Sequence, residues 1–422
     1  AVLVIRVVCF KKYLHAKGLF LLIAFCGSYA LSALLTRQYG LSENAKALVW
    51  MAFQYFILYT YDTTSDGTAE KKEFYIISHF FLAVAAGTVM LFTDYYSYTE
   101  VNGVVVILGF LWNRLWGVYS DPNYGAVFSA ITVIMSLYFY KDAKKPLKVL
   151  YIINIVLQIC YIAFSDSRTG MVSLFCALLV YVYLTALRSK KLEAKKAFAR
   201  GVICILLAIA AAVASFAAIK VVSVSTSEFK KWQYEHIISS DKDKTEAQKE
   251  KDKQKLEIGR QSNDINGDVS NRRFAIWGSG LEIFKTKPLT GVTFRNYVPY
   301  AEDKLPDTYI VHNDFDKFRS MHNSFVDILV SQGILGVVII AAYIILVLVL
   351  IFKNFFKFKG EKYKYNTALL SIIAPVFASM MFYSETFYMN TGGAFLFWLA
   401  LGYLIQSVTS KNSEAKEITP GK

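Results

Sequence analysis

From Ile334 to Phe352 the chain carries no charged side chain, and its only hydroxyl is on Tyr343. A run of about 20 apolar residues is long enough, as a helix, to cross the hydrocarbon core of a bilayer. In lipid such a segment must satisfy its own backbone hydrogen bonds, so helix is the default. Similar runs cover 18–36, 45–61, 74–92, 101–118, 124–140, 148–164, 171–187, 202–222, 366–384 and 391–408. The 422 residues are 55% hydrophobic with a mean hydropathy of +0.38, which excludes an ordinary soluble multidomain chain. The expected fold class is an all-α polytopic membrane protein of about 11–12 transmembrane helices, with one large external loop containing short amphipathic helices. Residues 1–10, AVLVIRVVCF, read as the end of a further span whose start lies upstream.

The net charge of +14 sits largely in short connections, which points to membrane orientation and not to nucleic acid. KDAKKPLK (141–148), RSKKLEAKKAFAR (188–200) and KNFFKFKGEKYKY (353–365) are expected in the cytoplasm, together with the tail 409–422. NRLWGVYSDPN (113–123), SDSRTG (165–170), the region 223–333 and the turn at 383–390 are then external. Counting back through every span leaves KKYLHAK (11–17) outside, against the rule. The domain reading is an N-terminal bundle over 1–222, an extracytoplasmic loop over 223–333 and a C-terminal bundle over 334–408. Cys9, Cys26, Cys160, Cys176 and Cys204 all lie in apolar runs, giving neither a disulfide framework nor a metal cluster.

The loop has two parts. Residues 239–268 are dense in both charges and nearly free of apolar side chains, so they cannot bury a core and are expected to be mobile. From Asn271 onward Phe274, Trp277, Leu281 and Phe284 recur at helical spacing, and Lys287-Pro288 with Gly291 closes that helix. Phe325, Ile328 and Leu329 mark a second short helix, which Gly333 should end before the next span.

The polar groups at this face carry the chemistry. Arg168 stands at the outer mouth of two spans, where the positive-inside rule gives no reason for a cation. Arg272 and Arg273 present planar donor forks suited to phosphate oxygens and stay charged at any relevant pH. His322 can take a proton near neutrality, as a general base must. His312 carries the same His-Asn pair but sits farther from a helix start. The bland readings are snorkelling or surface arginines and a histidine that caps a helix. A metal-dependent rival would use Asp314 and Asp316. A transport rival would line a pathway with charges inside the spans, where Arg6 and His79 are the main ones. No GxxxxGK[ST] loop, HExxH or dinucleotide fingerprint is present.

These residues fall in segments that resemble the bacterial O-antigen ligase and Wzy-type polysaccharide polymerase superfamily. Gly117 to Asn123 resembles its G-x-[FY]-x-x-P-N segment, and Ser165 to Gly170 its S-x-S-R-[ST]-G segment. Arg273-x-x-x-Trp277 with Pro288 and Gly291 is similar to R-x-x-x-W…P-x-x-G. His322-Asn323-Ser324-Phe325 with Gly333 and Gly336 is similar to H-N-x-[FY]…G-x-x-G. Where the family places a second glycine after the one matching Gly291, this chain runs Val292-Thr293-Phe294-Arg295, which adds a cation. The resemblance implies a metal-independent, cofactor-free, inverting glycosyltransferase on the outer face of the bacterial cytoplasmic membrane. In that reading His322 is catalytic; Arg168, Arg273, Arg272 and Arg295 bind diphosphate; Asn323 and Ser167 support them. The implied partners are an undecaprenyl-diphosphate-linked oligosaccharide donor, a glycan acceptor, the lipid bilayer, a flippase and a chain-length regulator. The Lys- and Ile-rich composition resembles low-GC Gram-positive chains, which favours a polymerase of capsular or other surface polysaccharide over a ligase.

Overall fold

The computed structural model describes residues 16–61, 82–101, 104–189, 192, 195–233, 235–236, 272–313, 318, 320–384 and 386–409. Arg6, Cys9, His79, the charged segment 239–268, Asp314 and Asp316 lie outside them. The described chain is mostly helical: α1 Leu19–Leu35, α2 Leu41–Phe53 (extended by a π turn, Gln54–Leu58), α3 Leu82–Phe92, α4 Pro122–Tyr140, α5 Lys145–Phe164, α6 Arg168–Leu187, α7 Ala197–Gln233, α8 Arg273–Thr286, α9 Tyr297–Lys304, α10 Ser324–Asn354, α11 Gly360–Ser379 and α12 Gly392–Thr409. Among the described residues six helices are long and apolar enough to cross a membrane: α4, α5, α6, α7, α10 and α12. The protein is an α-helical polytopic membrane protein.

One expected span is not a helix. The segment 101–118 contributes instead to a three-stranded antiparallel sheet of β1 Tyr96–Val101, β2 Val104–Leu111 and β3 Arg114–Gly117. Its apolar run is built of β-branched residues in two short stretches, a pattern that hydropathy averaging cannot tell from a helix. Turn chemistry decides. The sequence between the paired residues Val101 and Val104 is Asn-Gly, the strongest short hairpin signal. Leu111 pairs with Arg114 across Trp112 and Asn113, both with positive φ (53° and 56°), as a type I′ turn requires. At Gly109, with φ 90° beside a register shift, a Cβ would sit 2.0 Å from the Tyr95 carbonyl oxygen, so only glycine fits.

α7 also exceeds expectation. It runs past the apolar stretch 202–222 to Gln233, so the region after 223 begins as a continuation of that helix. Its buried Lys230 forms an ion pair with Asp94 and lies 4.4 Å from the Phe110 ring centroid, which docks the helix end on the sheet.

The two ends of the bundle are chemically distinct. At one end Tyr59 donates to the Lys17 carbonyl (2.6 Å) and Gln406 to the Tyr61 carbonyl (2.9 Å). At the other end a buried polar network joins α1 and α2 to the loop segments. Tyr29 donates to Asn44 (2.7 Å), Asn44 to Asn296 (2.8 Å), and Asn296 to the Thr36 hydroxyl (3.0 Å). Tyr39 donates to Asp303. Residues 36–44 therefore share an end with α8 and α9.

Two motif glycines lock that end together. Gly291 (φ 64°) and Gly333 (φ 61°) both lie in the left-handed region, and Gly333 interrupts α10 as expected. A Cβ on Gly291 would come within 2.4 Å of Ser331 and Val330 backbone atoms, and one on Gly333 within 2.5 Å of Pro288 and Leu289. The close approach permits backbone bonds from Val292 to Val330 (2.9 Å), Thr293 to Ser331 (2.9 Å) and Ile334 to Pro288 (2.8 Å).

Candidate active site

The starts of four helices, α4, α6, α8 and α10, meet at this end. Asp121 caps α4: one carboxylate oxygen accepts from the Asn123 N–H at 2.6 Å, and Pro122 occupies the first turn, where its missing N–H costs nothing. Ser167 caps α6 by accepting from the Gly170 N–H (3.0 Å) and donates to Asn123 Oδ1 (2.8 Å). Arg114, from β3, donates Nε to the Ser165 carbonyl (2.7 Å) and Nη2 to Asn123 Oδ1 (3.4 Å). The sheet thus braces the same point where two of the sequence segments join. Arg168 follows its cap as the first residue of α6 and is exposed.

His322 sits in the loop ahead of α10. Asn323, not the histidine, is the cap: its side chain accepts from the Phe325 and Val326 N–H groups (2.9 and 3.2 Å) and donates to the Met381 carbonyl (3.1 Å). Ser324 donates its hydroxyl to the Tyr383 carbonyl at 3.0 Å. Trp277 of α8 donates its indole N–H to the Met321 carbonyl at 2.9 Å. Pinned from both sides, His322 holds a left-handed backbone (φ 49°), a sparsely populated conformation for a non-glycine residue.

Its imidazole is half-buried between the Phe318 and Tyr383 rings, 6.1 and 5.9 Å between centroids. Tyr383 donates its hydroxyl to the second oxygen of Asp121 at 2.9 Å. Arg273, the first residue of α8, lies over the Phe382 ring at 5.9 Å. Desolvation first, and then the Arg273 charge, hold the His322 pKa below its ordinary value, while Asp121 opposes them. Burial, and then Asp121, keep the Tyr383 phenol protonated well past its usual range. The result is a neutral imidazole facing a fixed guanidinium.

The structure brings His322, Asn323, Arg273 and Ser167 into one continuous set of contacts, with Arg272 and Arg168 next in chain to members of it. Arg272 is the left-handed residue that precedes α8 (φ 66°). Arg295 goes elsewhere. It lies over the Phe294 ring at 5.2 Å, its backbone N–H donates to Asn44 (3.4 Å), and its charge acts on Glu43, so these contacts face α2 rather than the His322 loop. His312 is exposed in the turn after α9, its N–H given to the Thr308 carbonyl. Asp121, Asn123, Tyr383 and Arg114 are members that sequence reasoning did not single out. Asp121 and Asn123 lie inside a quoted segment. Tyr383 and Arg114 carry no local signal, because their partners are distant in sequence.

The described chain is a helical membrane bundle with arginines and a histidine gathered at one polar end, and the comparison with protein families supports a membrane glycosyl-transfer function of ligase or polymerase type. Residues 153–341 match the family model described as O-antigen ligase, which supports the O-antigen ligase/Wzy superfamily. A comparison with curated proteins gives no match.

Proposed function

We propose that this protein transfers a glycan from an undecaprenyl-diphosphate-linked donor to an acceptor hydroxyl at the extracytoplasmic face of the cytoplasmic membrane, polymerising repeat units of a surface polysaccharide. The observation that carries the reading is the placement of His322 against Tyr383, which bonds Asp121, with Arg273 over the neighbouring Phe382 ring. In the proposed step His322 removes the proton of the acceptor hydroxyl as its oxygen attacks the donor anomeric carbon. The bond from that carbon to the diphosphate oxygen breaks, and the electron pair leaves with the diphosphate. A single displacement inverts the anomeric centre. Arg273, with Arg272 and Arg168, stabilises the charge growing on the leaving group. Arg295 would serve a more remote part of the substrate, on the α2 side.

An apolar groove of about 280 Å³ between α10, α11 and α12 supports a lipid-borne donor. Phe325 and Met380 line its upper end, beside the His322 loop, and Tyr343 and Val347 continue it along α10. A polyprenyl chain lying there would bring its diphosphate to Arg273.

The test is a membrane assay in cells deleted for the gene and complemented with wild type, His322→Ala, Arg168→Ala or Arg273→Ala at matched protein levels. Loss of polymer with accumulation of single lipid-linked repeat units is expected from each variant. Accumulation of long lipid-linked polymer would make the protein a ligase. Wild-type behaviour of all three would remove the site and favour transport.

A further inference from the structure

The end of the bundle away from His322 holds a polar cavity. It is formed where α4 and α6 end and α11 begins, and encloses about 650 Å³. Each of these helices is a single pass of about 20 residues, which separates the cavity from the His322 end by roughly 30 Å. Its wall carries Lys141, Arg188, Lys359 and Lys364 against one carboxylate, Asp142. These cations come from the three basic connections, 141–148, 188–200 and 353–365.

The positive-inside rule explains cations in such connections, but asks only that they face water near the membrane. Here they line a concavity, and Arg188, Lys141 and Lys364 each have a contact at its wall. Arg188 donates Nη2 to the Phe356 carbonyl at 2.8 Å, and its guanidinium lies 5.0 Å from the Tyr363 ring. Tyr363 is buried and fixed by its hydroxyl bond to the Leu184 carbonyl, 2.9 Å. The Lys141 ammonium lies 6.0 Å from the Tyr181 ring. Lys364 pairs with Glu361 beside the cavity. Partial desolvation, and then the Lys364 charge, hold the Lys141 pKa down, and Asp142 and Glu361 offset this only in part. Four cations against one carboxylate give the lining of this ligand-sized cavity a net positive charge. Basic pockets between membrane helices characteristically take phosphorylated headgroups.

We infer that this cavity binds a phosphate group, carried either by an anionic lipid headgroup in the adjoining leaflet or by a soluble phosphate compound. Arg188 supplies the oriented fork and the three lysines supply point charges. The site lies outside the proposed active site, so its occupancy is independent of His322.

The test uses the full chain purified in detergent. Native mass spectrometry reads adducts of phosphatidic acid and of phosphatidylcholine, and equilibrium dialysis reads inorganic phosphate. Wild type is expected to retain phosphatidic acid over phosphatidylcholine. The variant Lys141→Gln/Lys359→Gln, which leaves the Arg188 and Tyr363 backbone bonds intact, should lower that retention about tenfold while phosphatidylcholine adducts stay the same. Inorganic phosphate bound by wild type and lost in the variant, without a headgroup preference, would assign the cavity to a soluble phosphate compound. Equal retention by both proteins, or binding of neither probe, overturns the inference. Should the double variant unfold, Lys359→Gln alone is read in the same way.

Discussion

His322 is held neutral by its surroundings, and that has consequences in both directions of pH. Its folded pKa lies below the ordinary 6.5, so the fold refuses a proton that the unfolded chain accepts. Its contribution to stability is therefore present above pH 6.5, falls as pH drops through that value and levels off below the folded pKa. Thermal unfolding in detergent between pH 7.5 and 5 should show Tm falling on the acid side, and falling less in His322→Gln. Activity follows the same group. The acid limb of kcat/KM should lie below pH 6.5, and the two charged neighbours should move it in opposite directions. Arg273→Gln removes the cation that disfavours imidazolium, so the limb moves up. Asp121→Asn removes the opposing charge but keeps an acceptor for Tyr383, so the limb moves down. Shifts of the same sign in both variants would show that neither charge acts on His322. His322→Ala should cost about 10²–10⁴ in rate, the usual share of a general base. Arg273→Lys should rescue little of the loss in Arg273→Ala if the guanidinium fork matters, because an ammonium cannot reproduce it.

At the scale of elements, the junction of the loop after α8 with α10 depends on two glycines that each occupy space no side chain can share. Gly333→Ala would meet both a left-handed backbone and the Pro288 and Leu289 backbone at 2.5 Å. A loss of about 2–4 kcal/mol is expected, read as a lowered unfolding temperature. Gly201→Ala, with open space at its Cβ, should be nearly neutral and serves as the control. Elements of this kind were readable from the sequence wherever the signal is local. Sustained apolar runs gave α4, α5, α6 and α12, the spacing of Phe274, Trp277, Leu281 and Phe284 gave α8, and Gly333 marked a break. The sheet was hidden because an 18-residue apolar average is the same for one helix and for short strands, and only the Asn-Gly pair in the sequence and the turn at Trp112-Asn113 tell them apart. The site divided along the same line. His322 and Arg273 stand out as ionisable groups beside apolar helical runs. Asp121, Tyr383 and Arg114 matter through partners 262 and 51 residues away, and Arg295 was drawn in by its charge although its contacts run to α2.

At the scale of the molecule, replacing the 101–118 span with a sheet changes the parity of every segment before it. With that span, KKYLHAK would lie at the same end as the large loop, against the positive-inside rule. Without it, the chain from Asp94 to Asp121 stays at one end, α1 and α2 reverse, and Lys17 joins the end that carries the basic connections. The contacts agree. Tyr59 bonds the Lys17 carbonyl and Gln406 the Tyr61 carbonyl at one end, while Tyr39 bonds Asp303 and Asn296 bonds Thr36 at the other. On the proposed orientation, with the basic connections in the cytoplasm, the His322 end would face outward, where a lipid-linked glycan would be presented. Cysteine labelling tests this directly. In intact cells a membrane-impermeant maleimide should label Gln38→Cys, an exposed position between α1 and α2, and should reach Lys17→Cys only after permeabilisation. Among the described residues the native Cys26, Cys160, Cys176 and Cys204 are all partly or fully buried, and with Cys9→Ser as the common background both probes are read against them. Labelling of Lys17→Cys from outside with protection of Gln38→Cys would invert the bundle and put His322 on the cytoplasmic side, where acceptor and donor would have to be presented before export. Labelling of both from outside would mean that α1 does not cross the membrane, and would overturn the separation of the two ends.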